Sequence, residues 1–330
     1  MKPLVSILIP AYNAESFIAD TLKSALEQTW PRKEIIVVDD GSKDQTLSVA
    51  RQFASEEVSV VTQPNQGAAA ARNKALSLSQ GEFVQWLDAD DLLAPDKIAL
   101  QMEEYERFGD RRTLFSSGWG SFHFRTNRAA FRPTPLWCDL SPVEWLLRKL
   151  GQNLFMQTGT WLVSRELTNA SGAWDTRLLS DDDGEYFCRV LLASNGVRFV
   201  RKARTFYRDS GPSSLSFIGR SDRKLEALFL SMELHIGYLR SLEESDRVRA
   251  ACLAYLQTGL PLFYPDHPDL VARLEKLALT LGRGLQPGRM SWKYVWIQTL
   301  FGWTAAKRTQ AAYNKLKASL IRSWEKTLSR

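Results

Sequence analysis

Phe83-Val84-Gln85-Trp86-Leu87-Asp88-Ala89-Asp90-Asp91 is the stretch on which the reading of this chain turns. A largely apolar run with the composition of a buried strand leads directly into three carboxylates within four positions. Open α/β sheets bind ligands at the carboxyl edge of their strands, and these acids would sit on that edge. Like charges this close disfavour one another's ionisation unless a cation relieves them. A hard divalent ion with oxygen ligands does so, and magnesium or manganese shared with a substrate diphosphate is the usual form. The competing reading is a solvated acidic turn that caps the following helix through Asp91 or Asp96.

Upstream, residues 4–10 form a β-branched run closed by Pro10, residues 34–38 a second and residues 58–61 a third. Between them, residues 13–16 offer capping groups for a helix carrying Phe17, Ile18, Leu22, Ala25 and Leu26. Ser42 or Asp44 offers one for a helix through Leu47, Ala50 and Phe53, and Gly67 opens a third through Leu76. Strand and helix alternating at this interval predict a mostly parallel sheet covered on both faces. The turns at 10–13, 39–42 and 88–91 then open on one edge of that sheet. Beyond residue 113 the pattern is mixed. Strands are expected at 160–163 and 197–200, an acidic turn leading into a helix at 178–192, and helices over 221–283 with breaks near 261–268.

The 330 residues suffice for one large α/β domain and an extra lobe, and 44% hydrophobic with 24% charged residues excludes a disordered chain. Cys138, Cys188 and Cys252 are odd in number and far apart, which fits a reducing compartment. His123, His235 and His267 are scattered, against a histidine-built metal site. The start enters a strand pattern at once, with no signal-peptide pattern and no uninterrupted apolar span of bilayer length. The net charge of +6 is uneven: residues 285–330 carry +8 and the rest −2, so the front of the chain gives no support for nucleic-acid binding. In that tail Val295, Trp296, Ile297, Leu300, Phe301 and Trp303 precede Tyr313, Leu316, Leu320, Trp324 and Leu328, with Lys307, Arg308, Lys315, Lys317, Arg322 and Lys326 between. This reads as a basic amphipathic helix suited to an anionic membrane surface, or else as a helix docked on its own core or on a second subunit.

Val5-Ser6-Ile7-Leu8-Ile9-Pro10-Ala11-Tyr12-Asn13, Val37-Val38-Asp39-Asp40-Gly41-Ser42 and Leu87-Asp88-Ala89-Asp90-Asp91, in this order and spacing, resemble the family 2 glycosyltransferases of GT-A fold over residues 3–217. The resemblance implies an α/β nucleotide-diphospho-sugar transferase fold over 1–217, with a nucleotide-binding half at 1–112 and an acceptor half at 113–217. A helical C-terminal region, 218–330, follows with its basic tail at 285–330. It implies an inverting hexosyltransferase that moves a sugar from a nucleoside diphosphate sugar, UDP-linked, to a hydroxyl of a carbohydrate or lipid-linked acceptor. Its setting would be surface polysaccharide or glycolipid assembly in the cytoplasm, peripheral on the inner face of the membrane. By the same resemblance Pro10, Ala11 and Tyr12 line the nucleotide base. Asp39 and Asp40 form the acidic pair that holds uracil or ribose, with Asp39 the one pointing inward. Arg72 stacks on the base or grips phosphate, Asp90 coordinates a divalent cation (manganese or magnesium), and Asp88 faces the ribose or the metal and its waters.

Ser180-Asp181-Asp182-Asp183-Gly184-Glu185-Tyr186 resembles the family's acidic motif, which places Asp183 on the general-base position, with Asp182 as the alternative one residue away. An inverting transfer needs a carboxylate opposite the leaving group to take the acceptor proton. A helix N-terminal acidic cluster favoured by the macrodipole is a compatible reading. Gln157-Thr158-Gly159 resembles an acceptor-side segment. Tyr207-Arg208-Asp209-Ser210 departs from the pattern: Ser210 stands where many relatives carry a histidine, leaving Arg208, Ser213 or Ser214 to replace it. A nucleotidyltransferase would be expected to show a glycine- and lysine-rich phosphate loop after the first strand, and none is present. A non-catalytic sugar-nucleotide or membrane-binding module is opposed by the retained acids. A dehydrogenase is disfavoured because no G-x-G-x-x-G follows the first strand.

Overall fold

The computed structural model describes residues 2–209, 221–264, 266–286 and 292–329. The four apolar runs at the front become β1 (Val5–Ala11), β2 (Lys33–Asp39), β3 (Val58–Thr62) and β4 (Phe83–Trp86), alternating with α1 (Ile18–Leu26), α2 (Thr46–Arg51) and α3 (Ala68–Leu78). β1 pairs in parallel with β2 on one side and β4 on the other, and β3 extends β2. Period-two alternation divides β1 between two layers: Val5, Ile7 and Ile9 pack under α1, while Leu8 faces the opposite layer with Val84 and Trp86. Both faces are covered, which is why these strands read as continuous apolar runs.

After β4 come β5 (Leu92–Leu93), α4 (Lys97–Phe108), β6 (Thr113–Phe122), β7 (Ala130–Phe131) and α5 (Pro142–Gly151). Then follow β8 (Val163–Ser164), α6 (Arg165–Ser171), α7 (Asp182–Ala193) and β9 (Gly196–Arg208). The larger sheet runs β3-β2-β1-β4-β8, with β8 antiparallel. A second sheet runs β5-β9-β6-β7, its centre the parallel β6–β9 pair with a bulge between Ser117 and Gly118.

The differences from the expected elements are local. Of the strand expected at 160–163, Val163 enters the larger sheet beside Val84 and Leu162 makes a single antiparallel bridge to Phe115 of β6; residues 158–160 form a tight turn in which Gln157 accepts a bond from the Gly159 amide. The strand expected at 197–200 runs on to Arg208. The groups at 13–16 do not cap α1 through a side chain; the Ala14 carbonyl instead accepts the amides of Phe17 and Ile18. Asp44 does terminate the next turn, accepting from the Thr46 amide at 2.9 Å. Asp96 precedes α4 without a capping bond, so no acidic cap forms there.

The rest is helical: α8 (Asp222–Leu242), α9 (Asp246–Phe263), α10 (Pro268–Thr280) and α11 (Trp292–Ser329). Ser221 and Ser245 cap α8 and α9 through their hydroxyls, the second cap marking a break the sequence reading did not place. α8 to α10 do not form a core of their own. Phe229, Met232 and Leu256 share one apolar cluster with Trp145, Trp161 and Tyr186. The boundary expected at 217/218 lies outside the described residues. Gly302, at φ +81°, bends α11, whose Ile297 and Ala306 are buried and whose Trp303 meets Tyr264 edge-on. No helix among the described residues is long and apolar enough to cross a membrane.

Candidate active site

The carboxyl ends of β1, β2 and β4 open on one cleft of about 810 Å³, closed on its far side by α5, α8 and α9. This volume lies toward the upper end of single-ligand pockets, so the cleft has room for two substrates. Pro10, Ala11, Tyr12, Asp40, Arg72, Asp88, Asp90, Asp182 and Asp183 all line it. Tyr12 is 44% exposed at the mouth, an aromatic ring left uncovered by the fold.

The acidic pair after β2 divides its work in the opposite sense to that expected. Asp39 is 1% exposed and accepts from Thr62 Oγ1 at 2.9 Å and the Ser42 amide at 3.3 Å. It is not among the lining residues. Asp40 lines the cleft, and its carboxylate gathers the Gln66 amide at 2.9 Å, the Gly67 amide at 2.8 Å and Gln63 Nε2 at 2.8 Å. Two glycines make this possible. At Gly41 (φ +70°) a Cβ would meet the Asn65 nitrogen at 2.9 Å, and Gly67 (φ +93°) turns the chain into α3.

Arg72 lines the cleft but is 5% exposed. It lies over Trp174 and bridges the two acidic motifs: Nη2 to Asp88 Oδ1 at 2.8 Å and Nη1 to Asp182 Oδ2 at 2.5 Å. These carboxylates raise its pKa against the effect of burial. The pair of bonds makes it a clamp joining β4 to α7, a placement that the expected base-stacking or phosphate-gripping role did not include. Spacing could not show this, because the partner lies 110 residues away.

Asp91 is fully buried rather than a solvated turn residue. Gln157 Nε2 and the Arg208 amide donate to its carboxylate, and burial with the charges of Asp90 and Asp88 pushes its pKa well above the ordinary range. Arg208 Nε also donates to the Asp90 carbonyl at 2.8 Å, and Nη2 to Asp20 at 3.3 Å. Arg208 therefore fastens the acidic turn from behind and does not face the cleft, which removes it as the substitute for the missing histidine. Ser210, Ser213 and Ser214 lie outside the described residues. Beneath the turn, Lys97 is fully buried and donates to Gln85 Oε1 and the Trp161 carbonyl, while Gln85 Nε2 donates to the Gly159 carbonyl at 2.9 Å. With no carboxylate beside it, burial holds the Lys97 amine well below its usual pKa.

The third acidic cluster opens α7. Asp181, at φ +57°, accepts from Ser231 Oγ at 2.9 Å. His235 Nδ1 lies 3.0 Å from Tyr255 Oη and 3.7 Å from Asp181. Burial, with Lys149 nearby, pushes the His235 pKa down to about 3, so the ring is neutral and the contact with Asp181 is no ion pair. Asp182 is held by Arg72, and burial lifts its pKa to about 6 against that cation. Asp183 has no ion pair within 4 Å among the described residues; its Oδ2 accepts from Thr158 Oγ1 at 3.2 Å. Burial first, then the charges of Asp181 and Asp88, raise its pKa, while Arg72 and Lys149 oppose the rise. Glu185 faces elsewhere, bound by Arg189 at 2.7 and 2.8 Å and by Tyr238 at 2.6 Å.

Among the described residues no three His, Cys, Asp or Glu side chains converge as a metal cage. Asp88 and Asp90 nevertheless present hard oxygen donors to the cleft. Two carboxylates suit magnesium or manganese, which keep waters and share substrate phosphates rather than fill an all-protein cage. The residues present fit an ion shared with a ligand.

Sequence reading missed the far wall. Trp145, Lys149, Phe155, Leu228, Met232 and Tyr255 also line the cleft. One signal was available: Trp145, Leu146 and Leu150 mark the buried stripe of α5, and Lys149 falls on that stripe.

A parallel nucleotide-side sheet with an acidic turn after its fourth strand, joined to a mixed second sheet, is the GT-A architecture of the sugar-nucleotide transferases. Residues 6–169 match the family described as Glycosyl transferase family 2, and the chain carries a domain of that family. Among curated relatives, TuaG of Bacillus subtilis, named for teichuronic acid biosynthesis, is 47% identical over 105 residues, 31% of this chain and 42% of TuaG. The chain thus spans about two fifths of the length of that relative. S. aureus TarS 1–349, solved with UDP-GlcNAc, superposes with a TM-score of 0.68 at 18% identity, covering 85% of this chain and 82% of that one. The mannosyltransferase PcManGT of Pyrobaculum calidifontis, solved with GDP-Man and Mn2+, gives 0.53 at 19% identity over 96% and 88%.

Proposed function

We propose that this protein is an inverting hexosyltransferase that moves a sugar from a UDP-linked donor to an acceptor hydroxyl, with Asp183 as general base. One observation carries the reading: a single cleft gathers Asp88 and Asp90 from the end of β4 and Asp183 from the first turn of α7, and Asp183 has no ion pair among the described residues. Asp183 would accept the acceptor's proton as that oxygen bonds to the anomeric carbon and the carbon–oxygen bond to the diphosphate breaks, releasing UDP. A base raised by burial is better matched to neutral pH than an exposed aspartate.

Residues 1–112 would hold the donor, with Pro10, Ala11 and Tyr12 against the base and Asp40 rather than Asp39 on the uridine side. Residues 113–217, with α8 and α9, would hold the acceptor. Asp90 and Asp88 would hold manganese or magnesium together with the donor diphosphate. When bound, such an ion neutralises the charge that builds on the departing diphosphate. The UDP assignment draws on the motif resemblance and on the UDP-GlcNAc of TarS. The relation to TuaG supports a role in surface polysaccharide assembly. α11 leaves Val295, Trp296, Leu300 and Phe301 exposed within a stretch of sequence rich in lysine and arginine, which supports a peripheral contact with an anionic membrane.

The deciding experiment is a thermal-shift and turnover screen of UDP- and GDP-sugars with and without manganese. One UDP-sugar should raise Tm and release UDP, because stabilisation follows affinity. Release of pyrophosphate would indicate a nucleotidyltransferase. No response to any UDP-sugar would overturn the reading.

A further inference from the structure

Besides Asp181, the acceptor wall carries two cations to which the transfer reaction assigns no role, Lys224 of α8 and Lys149 of α5, and Lys149 is the more deeply placed. Lys149 is 6% exposed, lies on the buried stripe of α5 and lines the cleft. Among the described residues it donates no hydrogen bond and has no carboxylate within ion-pairing distance, unlike Arg72, which bridges two. The side chain lines the cleft, where a ligand oxyanion could meet its ammonium. Its neighbours along the cleft, among them Trp145, Met156, Trp161 and Met232, are apolar and supply none. Of the local acids, Asp182 is held by Arg72, Asp181 by Ser231, and Glu185 by Arg189 and Tyr238, while Asp183 feels the Lys149 charge without forming an ion pair with it.

α5 packs against α9, α8, α7 and β9. Lys149 lines the cleft from α5, and its charge acts on Asp183 and on His235 of α8. On the proposed division of the cleft, a ligand oxyanion that meets Lys149 enters with the acceptor. The low-polarity walls strengthen that attraction over its value in water.

We infer that Lys149 is an anion subsite for the acceptor, holding a carboxylate or phosphate borne next to the hydroxyl that Asp183 deprotonates. The inference rests on the donor-and-acceptor reading only in assigning this side of Asp183 to the acceptor. It narrows the acceptor class to acidic glycans and phosphorylated or phosphodiester-linked acceptors.

The test uses the full-length protein with UDP and manganese saturating the donor side. Four probes are compared at matched ionic strength: methyl glucuronide against methyl glucoside, and glycerol 3-phosphate against glycerol. At about ten times its Kd, an anionic probe should raise Tm by roughly 2–4 °C, while its neutral partner does not. Which anionic probe responds separates carboxylate from phosphate. K149M and K149Q should lose the anionic preference, K149R should retain part of it, and stabilisation of each variant by UDP reports an intact donor side. Equal responses to anionic and neutral probes in the native protein would overturn the inference. So would variants that keep the preference and show only a shifted pH profile of transfer, since Lys149 would then merely trim the charge of Asp183. Failure of the native protein to bind UDP would instead count against the proposed donor and leave the anion comparison readable.

Discussion

The two walls of the cleft are built by different rules. The wall proposed to hold the donor is made of short turns at the ends of parallel strands, where the register of β1, β2 and β4 sets Pro10, Asp40 and Asp88 on one edge. The wall proposed to hold the acceptor is made of side chains from α5, α7, α8 and α9, brought together by packing. The first wall is polar and tied down by backbone bonds to Asp40 and Asp91; the second is mostly apolar, with a single buried cation. A nucleotide is a constant ligand that a fixed rim can serve, whereas helix faces can change their lining without disturbing the sheet. Arg72 joins the two walls, since it holds an acid from each.

The largest effect expected across this divide is at the base. D183N should lower kcat by about 10²–10⁴-fold while leaving UDP stabilisation intact, because only proton transfer is removed. D182N should cost less in turnover and more in stability. If D182N proves the more damaging to kcat with donor binding preserved, the base lies one residue earlier and the division between clamp and base is reversed.

Next is the clamp. R72M leaves Asp88 and Asp182 facing each other without their cation, and loss of one partner from a buried ion pair costs about 3–5 kcal/mol. Denaturant unfolding should show that loss, and UDP-sugar binding should weaken with it. A stable R72M with normal donor affinity would mean that the walls are held together by apolar packing alone.

A smaller effect is expected with pH. Transfer needs Asp183 ionised, so the acid limb of kcat should lie above the range of an exposed aspartate. Asp182 moves from 3.8 when unfolded to about 6 when folded. Within that window the native state binds the extra proton, so this group's contribution to stability is greatest below pH 4 and falls as pH rises toward 6. D182N should remove that slope from a Tm-versus-pH series. A slope unchanged in D182N would assign it to another acid.

The smallest effect concerns α11, which lines neither wall among the described residues. The protein should co-sediment with phosphatidylglycerol vesicles, lose that binding at high salt, and ignore phosphatidylcholine vesicles. Binding to neither, at low salt, would leave its exposed apolar face to another partner.

Much of the donor wall was legible before any coordinates. Apolar runs closed by Pro10, by Asp39 and Asp40, and by Asp88 can satisfy their backbone only as buried strands, and strands of one direction put their turns on one edge. What was misread there concerned direction rather than place. Asp39 and Asp40 are adjacent in sequence and point to opposite sides because a strand alternates, and only the register with β3 and the loop before α3 shows which one meets the cleft. The acceptor wall was barely legible. Its traces were residues 157–159 and the acids of α7, read from the resemblance, and a lysine on the apolar stripe of α5; no spacing rule links residue 149 to residues 158 and 183.

The sequence by itself determined the order of strands and helices and the three acidic turns, because hydrophobic period and turn chemistry act over a few residues. Tertiary structure decided that Arg72 clamps two acidic motifs together, that Arg208 backs the acidic turn, that Asp183 lines the cleft with no ion pair among the described residues, and that Lys149 lines it likewise. Those outcomes depend on which charges meet across tens of residues and on how much water the packed helices exclude, and neither is written in any local stretch of chain.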